Sequence, residues 1–480
     1  MTASRSVPVA ALALPALLAV ALLPRASRAG ETPATATAPA PATPTPAQAP
    51  ADPGRGAIPS TLSLDTALAI ARRQQPQLRL AHANTEAAEA RVDQARAPLL
   101  PQVGATASYS RSTSNFAPAP TTVMTGGTGG GTGGASNAGR STFDSINYFR
   151  SGVSASQLLW DFGQTSRRRD SAQASAEGQQ KTEKATALAT DLNVRASFFT
   201  ASTARSAVDV ARETLDNQNR HLEQIQAFVD LGRNPHIDLL QARVDQANAE
   251  VQLINAQNDY ASARAVLNQA MGVEATITYD VAATISAPIP GESSPLQTLV
   301  DEAVAARPEI AALADQYRAQ DLANKATWGR SWPSLQAQAG GTYVGPALAR
   351  LVWNLNAGIN LSWAIIDGGG VRGALREGAA NLAAIGAQVD VLRLQVRVEV
   401  EQARLAVDAA KASLGASDRS LVNARARLDL AEVRYRTGVG NVIELSDAQL
   451  ASTNAAFQKL QAQLKLDTAR AQLTKALARI

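Results

Sequence analysis

The chain has 480 residues, a formal charge of +4, 4% aromatic residues and no cysteine. Without cysteine there is no disulfide, thiolate metal site, cysteine nucleophile or lipid-modified N-terminal cysteine. Arg5, Arg25 and Arg28 lie in an acid-free opening stretch of 29 residues, so the remainder carries only +1 and gives little support to nucleic-acid binding.

Taken in chain order, residues 1–29 come first. The apolar run "VPVAALALPALLAVALL" (7–23) follows Arg5 and precedes "ASRAGE". This reads as an export signal cleaved after Ala29; Pro8, Pro15 and the small residues Ser27 and Ala29 favour that over a membrane anchor. Residues 30–58 are rich in Pro, Ala and Thr and read as a linker. No later stretch approaches the roughly 18 apolar residues of a bilayer-spanning helix.

From residue 59 the chain reads as two copies of one unit, 59–272 and 295–480, with an inter-repeat segment at 273–294. Residues 64–78 match 296–310, and 99–109 match 331–341, both at an offset of 232. "LLWDFGQ" (158–164) matches "AIIDGGG" (364–370) at an offset of 206. The 26-residue difference falls between about 110 and 155, where "TGGTGGGTGGASNAGR" (125–140) marks an exposed loop in the first copy.

Each copy is predicted to run helix, two strands, very long helix, turn, helix. The long helices cover about 163–231 and 369–437, each a rod of about 100 Å. An apolar residue recurs every seven positions through Val194, Ala201, Val208, Leu215, Leu222 and Val229, and again through Val400, Val407, Leu414, Leu421, Leu428 and Tyr435. That period marks a left-handed coiled-coil seam. The following helices are expected to continue it with Ile237, Leu240, Val244, Ala247, Val251 and Ile254, and with Ile443, Leu450, Phe457, Leu460 and Leu464. The helices at about 236–271 and 295–330 each have half the long helix's length, and stacked end to end they would match it.

In "LVWNLNAGINLSW" (351–363), apolar residues from Leu351 to Trp363 alternate with Asn354, Asn356, Asn360 and Ser362. Residues 102–111 alternate likewise, with Val103, Ala105, Ala107 and Tyr109 on one face. Both patterns fit strands of an outer-membrane barrel and strands of an ordinary half-buried sheet. Four strands cannot close a barrel, so a membrane location requires several chains to pool them.

The two turns are alike: "LGRNPHIDLL" (231–240) and "TGVGNVIELS" (437–446). Gly232 and Gly438 sit where a helix C-terminus favours a left-handed residue. Asn234 followed by Pro235 reads as an N-cap and first helical position, and Asn441 with Glu444 as a capping box.

The doubled unit, the "LLWDFGQ"/"AIIDGGG" boundary and the "GRNPHIDLLQA"/"GVGNVIELSDA" corners together resemble the TolC-like outer-membrane efflux family over about residues 60–478. The fold implied is mainly α with a small β part: a long coiled-coil α-helical barrel plus a transmembrane β-barrel shared by a homotrimer, four strands per chain. The function implied is the exit duct of a tripartite efflux or type I secretion system in the outer membrane of a Gram-negative bacterium. Its partners would be outer-membrane lipid, a periplasmic adaptor protein and an inner-membrane transporter of RND, ABC or MFS type.

The resemblance also places the helix tips at a periplasmic constriction. It assigns Glu444 and Asp447 to the gate, with Asp238 and Tyr435 as further gate candidates, and Leu231, Gly232, Gly438 and Val439 to the adaptor-binding tip. Acids in the first turns of a helix also have a simpler role as dipole partners, and for Asp238 both readings stand. One departure matters. Family members can carry a basic residue two positions after the second-corner glycine, tying neighbouring tips together. Here that position is Gly440, and nothing in the sequence shows Arg233 of the other corner taking its place.

His82, His221 and His236 show no metal-ligand spacing and suit solvated or helix positions. "WDFG" (160–163) lacks the other kinase elements and reads as chance, and "GGTGGGTGG" lacks the lysine of a phosphate loop. No nucleophile–base pair stands out, so neither enzyme activity nor a cofactor is expected. The rival readings are a pore-free periplasmic or surface coiled-coil scaffold, and a periplasmic adaptor, whose single helical hairpin fits the doubled unit poorly.

Overall fold

The computed structural model describes residues 60–113, 145–232, 235–274 and 279–479. The export signal, the linker, the glycine-rich loop, Arg233 and Asn234 lie outside the described residues. The first copy runs β1 (Thr61–Leu62), α1 (Leu64–Gln74), α2 (Pro76–Arg96), β2 (Gln102–Thr113), β3 (Ser145–Trp160), α3 (Gln164–Asp230) and α4 (His236–Met271). After β4 (Asp280–Val281) the second copy runs α5 (Leu296–Ala306), α6 (Pro308–Gly329), β5 (Ser334–Gly345), β6 (Val352–Ser362), α7 (Gly370–Arg436) and α8 (Val442–Ala476).

The long helices α3 and α7 have 67 residues each, as their periodicity predicts. Their start follows from the "WDFGQ"/"IDGGG" corners. Asp161 accepts from the backbone N–H of Gly163 (3.1 Å) and Thr165 (2.7 Å). Asp367 repeats this with Gly369 (3.0 Å) and Val371 (2.7 Å). Each carboxylate satisfies donors that a helix N-terminus leaves unpaired.

The helix ahead of each strand pair is broken into two, at Gln75–Pro76 and at Arg307–Pro308. Gln75 and Arg307 are extended because a residue before proline is pushed out of the helical region. At these breaks the end-to-end stacking expectation is corrected. It is α4 and α2 that abut, with Gln75 Nε2 donating to the carbonyls of Gln269 (3.3 Å) and Ala270 (2.8 Å). In the second copy α8 abuts α6, with Arg307 Nε donating to the carbonyl of Ala476 (3.1 Å). Length alone identified a half-length helix but not which one meets it.

The seven-residue stripe on α3 and α7 is turned inward: Val194, Ala201, Val208, Val400, Val407 and Leu421 are all buried. The stripe expected on the returning helices is corrected in α4 and at the start of α8, whereas Phe457 and Leu464 further along α8 are half-buried and pack against the cores as expected. Ile237, Leu240, Val244, Val251 and Ile254 are exposed, as are Ile443 and Leu450. The regular buried row is instead alanine at every seventh position, Ala242, Ala249, Ala256, Ala263 and Ala270 in α4 and Ala448, Ala455, Ala462, Ala469 and Ala476 in α8, with Leu239 and Leu267, and Leu445, Leu466 and Leu473, buried beside it. Small side chains let two helix backbones approach closely, and the larger apolar residues then lie on a different face.

Two matching cores sit beside the helix junctions. One gathers Leu62, Phe198, Leu267, Met271 and Val281; the other gathers Leu299, Val396, Val400, Leu473 and Leu477. The inter-repeat segment is pinned by charge. Glu292 pairs with Lys411 (2.6 Å) and Arg470 (3.4 Å), and Ser286 N–H donates to Asp467 (2.9 Å).

The four long strands form one antiparallel sheet in the order β2-β3-β5-β6. Its register aligns the alternation across all strands. Ala105, Val153, Gly341 and Leu355 lie in one row, while Thr106, Gly152, Thr342 and Asn354 form the neighbouring row on the other face. The apolar face is uncovered: Leu355 is 72% exposed and Ile359 68%. Among the described residues no helix is long and apolar enough to cross a membrane.

Candidate functional site

The two hairpin turns, α3–α4 and α7–α8, carry the candidate site. At the first, Gly232 is left-handed (φ +69°) and its N–H reaches the Val229 carbonyl at 2.9 Å. Pro235 occupies the N-cap position of α4, correcting the expectation that it opens the helix; the Asn234 cap lies outside the described residues. At the second, Gly438 is left-handed (φ +82°), with N–H bonds from Gly438 to Tyr435 O (3.0 Å) and from Val439 to Arg434 O (3.0 Å). This is a Schellman ending, which needs a residue that tolerates positive φ. A Cβ on either glycine would meet nothing within 4 Å, so backbone conformation alone calls for glycine at both places.

Asn441 caps α8, accepting from the Glu444 N–H at 2.7 Å. The expected capping box is thus half formed: the Glu444 carboxylate turns to Arg434 on the last turn of α7, with Oε1 3.3 Å from Nε. Asp447, one turn further along α8, is exposed, and Asp238 in the first turn of α4 is half-buried. Leu231 and Val439 are exposed at the turns beside Gly232 and Gly438.

Tyr435 is buried. It belongs to a core that joins the two hairpins, with Ile225, Leu239, Ala431, Leu445 and Ala448. Its ring lies edge-on to His221 at 5.5 Å and near Phe228 at 6.5 Å. His221 is only 7% exposed, so of the two roles expected for it the helix position holds and the solvated one does not. Burial pushes its pKa below the usual histidine value, and Asp245 works against that shift. Asp245 in turn accepts from Ser446 Oγ at 3.0 Å, and Gln218 donates to Gln449 at 3.1 Å, so polar groups also bridge the hairpins.

The structure therefore gathers Tyr435 into the tip core and sets Glu444, Asp447, Leu231, Gly232, Gly438 and Val439 at or near the surface. Sequence reasoning missed Arg434 and His221. Arg434 stands ten residues before Glu444, and only a placed turn brings the two together. His221 carried no signal, because its burial depends on packing from the other hairpin. Among the described residues no group of three or more His, Asp or Glu side chains could hold a metal ion.

At the other end, aromatic residues gather at both ends of the sheet. Tyr109 and Phe149 (4.8 Å) lie near Tyr343 and Trp353, while Phe162, Trp332 and Trp328 cluster by the helix starts with Trp160 and Trp363 nearby. Ten residues separate Trp353 from Trp363, about 33 Å of strand. At the usual barrel tilt that spans about 25 Å, the height of an outer-membrane apolar band.

A family profile described as Outer membrane efflux protein matches residues 67–273 and 299–479. Protein CyaE of Bordetella pertussis is 28% identical over 395 residues, covering 81% of this chain and 78% of the other. The fold is similar to the CmeC outer membrane channel of Campylobacter jejuni, with TM-score 0.71, 16% identity and coverage of 86% and 85% of the two chains. It is also similar to the MtrE outer membrane channel of Neisseria gonorrhoeae, with TM-score 0.68, 19% identity and coverage of 86% and 88%.

Proposed function

Because the chain belongs to the outer membrane efflux protein family and serves as an exit duct for efflux or secretion in the outer membrane of a Gram-negative bacterium, we propose how its parts build that duct. Three copies pool their strands, four from each, into one closed barrel. The α3–α4 and α7–α8 hairpins continue it across the periplasm as a helical tunnel.

The observation that carries this reading is the sheet. Among the described residues its apolar face is bare, its opposite face is polar, and its outer strands β2 and β6 each have one unpaired edge. In water such a sheet is an aggregation hazard. In lipid an open edge leaves backbone groups unsatisfied, so closure with other copies is required. A polar lumen and an apolar rim follow from the same register.

At the far end the hairpin tips converge. Glu444 and Asp447 line the constriction, which favours cations and repels anions. Asp238 and Tyr435 belong to the same gate, Tyr435 through the packing that holds the two hairpins together. Leu231, Gly232, Gly438 and Val439 meet the periplasmic adaptor, and the exposed apolar Leu231 and Val439 support this. Energy for transport and choice of cargo come from an inner-membrane transporter of RND, ABC or MFS type.

The test is the native mass of the full-length protein extracted by detergent from outer membranes. Three copies are expected. A monomer released by salt without detergent would remove the barrel and leave a coiled-coil scaffold as the better reading.

A further inference from the structure

We propose that Arg434 sets the charge of the tip: by pairing with Glu444 it cancels that carboxylate and leaves Asp447 as the acid that selects among ions. This rests on the reading of Glu444 and Asp447 as lining the constriction.

The local geometry builds the pair. Arg434 is on the last turn of α7, and its carbonyl accepts from Val439 N–H (3.0 Å), Gly440 N–H (2.9 Å) and Thr437 Oγ1 (3.1 Å). The turn is therefore wrapped around this residue. A Cβ at Gly440 would lie 3.0 Å from Tyr435 N and 3.1 Å from Arg434 Cβ, so position 440 has little room for a side chain of its own. The turn draws its cation from Arg434 instead. On the other side, the Asn441 cap fixes the first turn of α8 and holds Glu444 facing α7. Asp447 forms no ion pair among the described residues. In the first copy the positions matching Arg434 and Glu444 hold Phe228 and Asp238.

The pair is partly exposed, and such pairs contribute little to stability. Its effect is on the field. A guanidinium in contact with a carboxylate leaves a dipole where a full charge stood, and the net charge that Glu444 and Asp447 together give the ring is halved. The role of Arg434 is thus specificity rather than closure.

The test is reversal potential across planar bilayers holding the full-length protein in a potassium chloride gradient. It compares Arg434→Gln, Glu444→Gln, the double variant and Asp447→Asn, with native mass confirming assembly of each. Arg434→Gln is expected to raise the cation preference at least about fivefold, the effect of a single unit charge on an ion at about 4 Å in water, with three such charges removed per trimer. Glu444→Gln is expected to lower it by a similar factor, because Arg434 is left uncompensated. The double variant is expected to return to the wild-type ratio, and Asp447→Asn to lose the larger part of the cation preference. If Arg434→Gln changes nothing and the double variant behaves as Glu444→Gln alone, the acids line the pathway but Arg434 does not cancel one, and the proposal is overturned. If none of the four moves the ratio, the gate reading fails as well.

Discussion

His221 has its imidazole under cover between two hairpins, edge-on to Tyr435. Burial disfavours the charged ring and Asp245 only partly offsets this, so its folded pKa lies below the unfolded value. The sign follows: above about pH 6.5 the ring is neutral in both states and the stability is intact, and as pH falls below that value the unfolded chain takes up the proton first. Heat stability of the detergent-extracted protein is expected to drop between pH 7 and pH 5, and His221→Phe to reduce that drop. An unchanged pH profile in the variant would assign the sensitivity elsewhere. Gly272 offers a second residue-scale test. It is left-handed (φ +75°), and a Cβ there would lie 2.8 Å from Gln75 Cα and 2.9 Å from Gln74 O, both backbone atoms. Gly272→Ala is expected to destabilise by about 1–3 kcal/mol, read as a lowered melting temperature. Its counterpart Ala478 also has positive φ (+52°), so the second copy tolerates strain that the close contact forbids in the first. At this scale the turn glycines were legible, since positive φ at a helix end selects glycine. The Arg434–Glu444 pair was not, since it depends on how the chain reverses.

The helices show why periodicity is a partial guide. A repeat of seven was readable along all four long elements, and for α3 and α7 it named the buried side. In α4 and α8 two stripes share that repeat, one of alanine and one of larger apolar residues. Hydrophobicity favours the larger, whereas packing buries the alanine row along its whole length, because α4 and α8 lie close against their partners, and reaches the larger row at Phe457 and Leu464. Ala249→Leu, in the buried stripe, is expected to overpack the α3–α4 contact at a cost of about 1–3 kcal/mol. Val251→Ala, in the exposed stripe, is expected to leave hairpin stability nearly unchanged and instead weaken association between chains. Melting temperature and native mass, measured on both variants, separate the two roles. Equal losses of melting temperature would mean that both stripes are buried within one chain.

For the whole molecule the decisive property is one that no single strand carries. Each strand's alternation was legible, but its solvent was not, because small polar residues suit water and a lumen alike. Only the register, which stacks Val153, Gly341 and Leu355 in one row across three strands, shows a continuous bare apolar face. Leu355→Arg on that face is expected to cost about 2–4 kcal/mol in the bilayer and to lower the amount of protein recovered from outer membranes. Asn356→Arg, on the opposite face, is expected to assemble normally and alter conductance. Similar recovery of both variants would remove the distinction between lipid face and lumen face. The unmatched edges of β2 and β6 have one further consequence. On the proposed trimer, a lone chain has no comfortable resting place in a bilayer, since each edge finds its partner only on another copy. Pore formation then depends steeply on how many chains are present together, and a cell making too few of them acquires no leaky half-built hole in its envelope.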